Sequence, residues 1–373
     1  MKKRMWASIF IMIFCGLSKI SYAGPASGEP FYVAFAYPMT GDLAQYGKQA
    51  YDGVMIKLDE VNANGGVNGR PIVMDVFDDK GDAGEAVKLA QMISDNKKYI
   101  AVFGSYNSPC SLASAPIYAK NKLVQFVPTA GHADLPNHEY TFVQALGAPL
   151  EFQLFSKLAV EQLKAKRISL IYINNDNGFE VLAALAKWVP EYGGQLVSAE
   201  NFDEGQMRDF TFILTKIRAA NPDLVAVNAS YRDTADMLIQ AKQMGFAAKF
   251  LLGPGSHTDA FIEAAGEAAT GHYVASSFAS VSPSPGVQKF SRIYRERTGN
   301  EANAMSQQPY ESASMLVKAL EAGATDRAGL YDVLMSWTFW EGDTYSAPLV
   351  NRRPQRDNLI LLTVEDGKFT FVD

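Results

Sequence analysis

The residues that could do chemistry fall into short stretches, and the most suggestive is Gly104-Ser105-Tyr106-Asn107-Ser108-Pro109, where the strand-like run YIAVFG (99–104) gives way to a helix-like run over 109–120. Ser108 is a preferred N-cap type, and Pro109 suits the first helical position because proline has no N–H to leave unpaired there. Free backbone N–H groups and the helix dipole then favour an anion at this point, by roughly 0.3 to 1 kcal/mol and up to ~2 kcal/mol when partly buried. A carboxylate is the natural guest; an ordinary helix cap is the plainer alternative.

Catalytic and metal chemistry have less support. Cys110 with one of His132, His138, His257 or His272 would make a thiol hydrolase, yet no histidine sits in a recognisable catalytic motif. A buried packing role accounts for a lone cysteine better than a nucleophilic one. The histidines lack the closely spaced pairs of a zinc site, and Asp78, Asp79 and Asp82 share a turn-like segment. The expectation is a binding protein with no catalytic residues, no metal and no cofactor.

The elements that must position these residues alternate. FYVAFAYP (31–38) reads as a strand stopped by Pro38 and Gly41. Ala44 to Val61 reads as a half-buried helix closed by Asn64, Gly65 and Gly66, and Ile72 to Phe77 as the next strand. Helix 83–96, strand 99–104, helix 109–120 and strand 123–127 follow, and the rhythm restarts after Pro149. Strands are expected at 167–173, 196–202, 223–228, 249–253 and 272–278, with helices near 178–189, 208–220, 232–244 and 258–265. Alternation without tight hairpins predicts an α/β fold of two doubly wound parallel-sheet lobes, with ligand loops at the carboxyl ends of the strands. The chain crosses between lobes near Gly147 to Pro149 and again in Ser277 to Gly286, and short crossings make a hinge.

Residues 1–23 combine a basic start (Lys2, Lys3, Arg4), an apolar centre from Trp6 to Leu17 and the ending Ser21, Tyr22, Ala23. That is the pattern of a secretory signal peptide cleaved after Ala23, which implies a periplasmic location. The centre is shorter than the ~20 residues of a spanning helix. Phe14 before Cys15 disfavours a lipoprotein signal. Removing residues 1–23 leaves 30 basic against 40 acidic residues, a formal charge of about -10, which argues against nucleic-acid binding. Cys110 is then the one cysteine left, so no intrachain disulfide is possible.

Pro38, Thr40, Gly41, Tyr46, Gly47, Gly53, the turn Asn62, Ala63, Gly65, Gly66, Gly69, and then Asp78 and Asp79 form a widely spaced set. This set resembles the start of the leucine/isoleucine/valine-binding protein family, the type I periplasmic receptors of amino-acid ABC importers. The resemblance implies lobe I from 24–148 with 279–340 and lobe II from 149–278 with 341–373. It implies helices 287–298, 307–322 and 326–335 returning to the first lobe and strands near 358–364 and 368–372 finishing the second. It also implies a solute-binding protein that meets an ABC permease at the inner membrane and is not an enzyme. By the same resemblance Asn107 and Ser108 belong to the carboxylate-binding helix start, and Thr129, Ala130 and Gly131 to a second loop bonding the same carboxylate. Tyr46, Tyr106 and Tyr310 fall where the family walls its side-chain pocket.

The second half departs from that pattern. Asn177 stands where the family commonly has an aromatic residue, and Gly255, with Ser256 and His257, stands where an acid usually faces the ligand ammonium. Ser230 and Tyr231 are candidate hydroxyl donors there, while Asp233 and Asp259 read as helix caps that would substitute for the acid only if their loops reached the cleft. An unpaired buried ammonium costs several kcal/mol. An amino acid, a carboxylate without an amino group and a neutral amide or urea therefore all remain open, as do transport and a sensory role. The segment 337–356, with Trp340, Tyr345, Arg352, Arg353 and Arg356, reads as a solvated loop or a contact for an anionic partner.

Overall fold

A computed structural model describes residues 27–357 and 359–372; the expected signal segment lies outside them. The first lobe is built from β1 (Phe31–Tyr37), α1 (Ala44–Ala63), β2 (Ile72–Asp78), α2 (Ala83–Asp95), β3 (Tyr99–Phe103), α3 (Ser108–Lys120), β4 (Val124–Val127) and β5 (Thr141–Val143). The second contains α4 (Ala148–Lys157), β6 (Arg167–Ile173), α5 (Asp176–Glu191), β7 (Gln195–Phe202), α6 (Thr211–Ala219), β8 (Leu224–Asn228), α7 (Tyr231–Gln243), β9 (Lys249–Leu252), α8 (Asp259–Ala265) and β10 (Tyr273–Ser276). Then come α9 (Pro285–Thr298), α10 (Ala304–Glu321), α11 (Arg327–Met335), β11 (Phe339–Glu341), β12 (Ser346–Val350), β13 (Arg353–Pro354), β14 (Ile360–Glu365) and β15 (Lys368–Phe371).

The first sheet has the order β2-β1-β3-β4-β5 and is parallel throughout, with Phe35 level with Val76 on one side and Phe103 on the other. The second has the order β15-β14-β10-β9-β8-β6-β7, parallel from β10 to β7, with β14 and β15 added antiparallel at one edge. Central strands such as Tyr99–Phe103 and Val124–Val127 are buried along their whole length, which is why they read as unbroken apolar runs rather than alternating ones. Phe35, Phe103, Phe126, Leu316 and Trp340 anchor the first core; separate apolar clusters cover the two faces of the second sheet.

The first lobe takes back α9, α10 and α11. Here α1 lies so close to α10 that a Cβ on Gly53 would stand 2.1 Å from the Ser306 carbonyl oxygen, so only glycine allows this packing. The segment 337–356 is not a solvated loop, although residues such as Phe339 and Val350 are exposed. It forms a small antiparallel sheet, β11-β12-β13, with Trp340 in the first core and Arg353 and Arg356 buried. The chain therefore stays with the first lobe to about residue 354, later than the expected boundary at 341, before crossing to β14. The reason is local: Arg352 donates to the Thr141 carbonyl at 3.2 Å and Val143 N–H to the Arg352 carbonyl at 3.0 Å, tying the segment to β5.

Candidate functional site

The carboxyl ends of β3, β4, β6, β7, β8 and β9 face one another across the gap between lobes, where doubly wound sheets hold ligands. A cavity of about 110 Å3 lies there. Tyr106, Asn107, Ser108, Thr129, Ala130 and Gly131 line it from the first lobe, and Asn177, Ser230 and Gly255 from the second. Three of the expected residues do not line it. Tyr46 and Tyr231 lie between the lobes, and Tyr310 is packed on the far side of α10 against Phe290, ring centroids 4.6 Å apart.

At the start of α3 the cap differs from the expectation by one residue. Asn107 is the N-cap, its Oδ1 accepting the Cys110 N–H at 3.0 Å, so Ser108 and Pro109 become the first two helical residues. The shift matters because it leaves the Ser108 hydroxyl, on a buried residue, free of any hydrogen bond among the described residues, beside the cavity. Thr129 has a different task from a direct ligand donor: its hydroxyl donates to the Tyr106 carbonyl at 3.0 Å and so holds two cavity loops together.

From the second lobe two more helix starts reach the same space. Asn175 caps α5 by accepting the Gly178 N–H at 3.0 Å, and Ser230 caps α7. At Gly178 a Cβ would stand 1.8 Å from the Ile173 carbonyl oxygen, so glycine is required for α5 to begin directly beneath β6. Asn177 is thereby presented at the cavity wall.

Two acids escaped the sequence reading: Glu151, at the start of α4, and Glu204, on the turn after β7. Both line the cavity, and burial pushes each up to about 7, with Arg356 and Arg353 opposing the rise at Glu151 and Asp233 adding to it at Glu204. Asp233 is not a ligand acid but the support of Glu204's turn: it accepts the Gly205 N–H at 3.1 Å and the Ser230 hydroxyl at 2.9 Å. Asp259 accepts the Glu301 N–H at 3.1 Å, away from the cavity. Position was the available signal, because Glu204 lies two residues past the carboxyl end of β7 and Glu151 follows the first crossing.

The hydrolase alternative finds no support in the geometry. Burial and Asp79 push the Cys110 thiol up to about 12, and none of the four histidines lines the cavity. Burial holds His257 and His272 down at about 4.

The lobes touch around the cavity. The Tyr46 ring stacks on Tyr106 at 4.3 Å, and its hydroxyl bonds the second lobe at Gly255 and Tyr231. Asp42 pairs with Arg208 at 2.6 Å and Arg232 at 3.1 Å. Ala133 N–H donates to Glu180 at 3.0 Å. Two lobes that meet around a small cavity between strand ends define a solute-binding protein.

Residues 30–359 match the family model described as "Periplasmic binding protein", and the chain belongs to that family, whose members bind solutes rather than catalyse reactions. It is 23% identical over 332 residues to the leucine-, isoleucine-, valine-, threonine- and alanine-binding protein of Pseudomonas aeruginosa, covering 88% of this chain and 87% of that one. It is 26% identical over 262 residues to the Leu/Ile/Val-binding protein of Citrobacter freundii, covering 69% and 71%. Its fold superimposes on the branched-chain amino acid substrate-binding protein LivJ of Streptococcus pneumoniae, solved with isoleucine, with a TM-score of 0.85 at 24% identity, covering 91% of this chain and 98% of that one. The type I periplasmic receptor fold expected from the sequence is thus the fold of the chain.

Proposed function

We propose that this protein captures a small carboxylate-bearing solute, an amino acid or related organic acid, between its lobes in the periplasm and presents the closed form to the permease of an ABC importer. Residues 1–23 act as the export signal, cleaved after Ala23. The observation that carries the reading is the start of α3 at the cavity wall, with a Ser108 hydroxyl that makes no hydrogen bond among the described residues. Relatives named for leucine, isoleucine, valine, threonine and alanine binding favour an amino acid over an amide. The lining groups Tyr106, Asn107, Ala130, Gly131, Asn177 and Gly255 shape the space, and Tyr46 and Tyr231 close it. Binding near micromolar needs ~8 kcal/mol, within reach of a dry cleft with several oriented hydrogen bonds.

The test is a thermal-shift screen of the mature protein against amino acids, aromatic acids, short carboxylic acids and amides, since a ligand preferring the folded form raises the midpoint. A carboxylate gives the largest shift, and Ser108→Ala reduces it. A neutral amide giving the largest shift contradicts the proposal.

A further inference from the structure

The cavity is rich in acceptors that have no donor. Among the described residues neither the Glu151 nor the Glu204 carboxylate receives a hydrogen bond, and the buried Asn228 Oδ1 has no partner either; all three residues line the space. The two carboxylates arrive from different elements and different directions. Glu151 comes from α4 beside the loop that follows β4, where a Cβ added to Gly131 would stand 4.0 Å from Glu151 Oε2. Glu204 comes from the turn braced by Asp233, where the cavity adjoins a second hollow of about 270 Å3 bordered by Leu43, Gly81, Asn107 and Arg208. Arg356 and Arg353 oppose the upward shift at Glu151, and Asp233 adds to the one at Glu204.

Resting on the reading of a carboxylate-bearing solute, we propose that the solute is an amino acid whose side chain also donates hydrogen bonds, as an amine, amide, guanidinium or hydroxyl, with its α-ammonium at Glu151 and its side-chain donor at Glu204. The assignment follows from connectivity. An α-ammonium sits one carbon from its carboxylate, so it must lie near the anion-binding loops, and Glu151 is the acid beside Gly131. The side chain leaves the same carbon and reaches towards the other acid. Two arginines oppose the rise at Glu151 and none opposes it at Glu204, so Glu204 depends more on a donor from the solute. An aliphatic side chain would bury Glu204 unpaired, a loss larger than the packing of a few methylene groups returns.

Titration calorimetry on the mature protein tests this with leucine, isoleucine, valine, serine, threonine, asparagine, glutamine, ornithine, lysine and arginine. The tightest binder carries a side-chain donor and exceeds leucine by about 100-fold or more, as expected where a site built for a donor meets a ligand without one. In Glu204→Gln that ratio collapses to about tenfold or less while leucine affinity holds or rises, a pattern that mere loosening of the fold would not give; Glu151→Gln weakens every amino acid. Leucine, isoleucine or valine binding tightest, or Glu204→Gln weakening all ligands alike, overturns the inference and leaves the receptor reading standing as long as Ser108→Ala still weakens the carboxylate ligand. Failure of every compound to bind overturns both.

Discussion

The Tyr46 hydroxyl of the first lobe donates to the Gly255 carbonyl of the second at 2.8 Å, and in turn accepts the Tyr231 N–H at 2.7 Å. Burial raises the phenol far above its ordinary value, so it keeps the proton it donates. Gly255, at the position where an acid was expected, therefore serves through its backbone. Tyr46→Phe removes both bonds and leaves the stack on Tyr106 intact. At about 0.5 to 1.5 kcal/mol per bond, solute affinity measured by calorimetry falls about tenfold, and the empty and solute-bound forms become harder to tell apart by X-ray scattering. Unchanged affinity would show that the bridge contributes nothing to closure.

Asp42 makes the other bridge at the cleft edge, to Arg208 and Arg232. All three side chains are about half exposed, so each pair contributes only about 0.2 to 1 kcal/mol. Asp42→Asn should speed solute release by roughly two- to fivefold in stopped-flow dissociation at low salt, with little effect on the equilibrium fold. The difference should vanish at high salt because exposed charges are screened. A salt-independent change would mean that Asp42 acts through something other than these ion pairs.

Closure of the empty receptor should depend on pH. Glu151, facing Arg353 and Arg356, and Glu204, facing Asp233 and through it Arg208, are each raised to about 7 in the closed form, whereas a carboxyl opened to water titrates near its ordinary 4.5. The closed form thus binds more protons between about 4.5 and about 7. Its advantage is full below that window and is lost as pH rises through 7. Small-angle scattering of the solute-free protein should show a smaller radius of gyration at acid pH than at pH above 7, and the double substitution Glu151→Gln with Glu204→Gln should flatten the difference. A larger radius at acid pH runs against the argument.

Glu311, wholly buried on α10, tests the small sheet. It accepts hydrogen bonds from Trp340 Nε1 at 3.0 Å, Thr344 N–H at 2.6 Å, the Thr344 hydroxyl at 2.5 Å and Asp343 N–H at 3.3 Å, so one carboxylate pins the β11-β12 turn. In Glu311→Gln an amide NH2 must face some of these donors. Urea unfolding should show a loss of about 2 to 4 kcal/mol. The order of solute preference should not change, because Glu311 does not line the cavity.

The alternation of strands and helices was legible because central parallel strands must be apolar on both faces, as in YIAVF and VQFV. The start of α3 was legible from Asn107, Ser108 and Pro109, although which residue caps it depends on a hydrogen bond that composition does not specify. Less could be seen where long-range packing decides. Tyr310 sits on an α10 face chosen by Phe290 and Lys57, both distant in sequence. Arg353 and Arg356 look like a solvated basic cluster until β13 carries them into the first lobe, where they donate to the carbonyls of His132 and Gln144. Glu151 and Glu204 lie in no motif, and only the meeting of two lobes gives them a shared space.

The central claim is that the solute's carboxylate meets the start of α3 between the lobes. A crystal structure of the mature protein with its tightest-binding solute tests it most directly. The account predicts a carboxylate oxygen within hydrogen-bonding distance of both the Ser108 hydroxyl and the Ser108 N–H, with the lobes closed over it. A solute bound outside this cavity, or inside it with its carboxylate turned away from Ser108, would contradict the account.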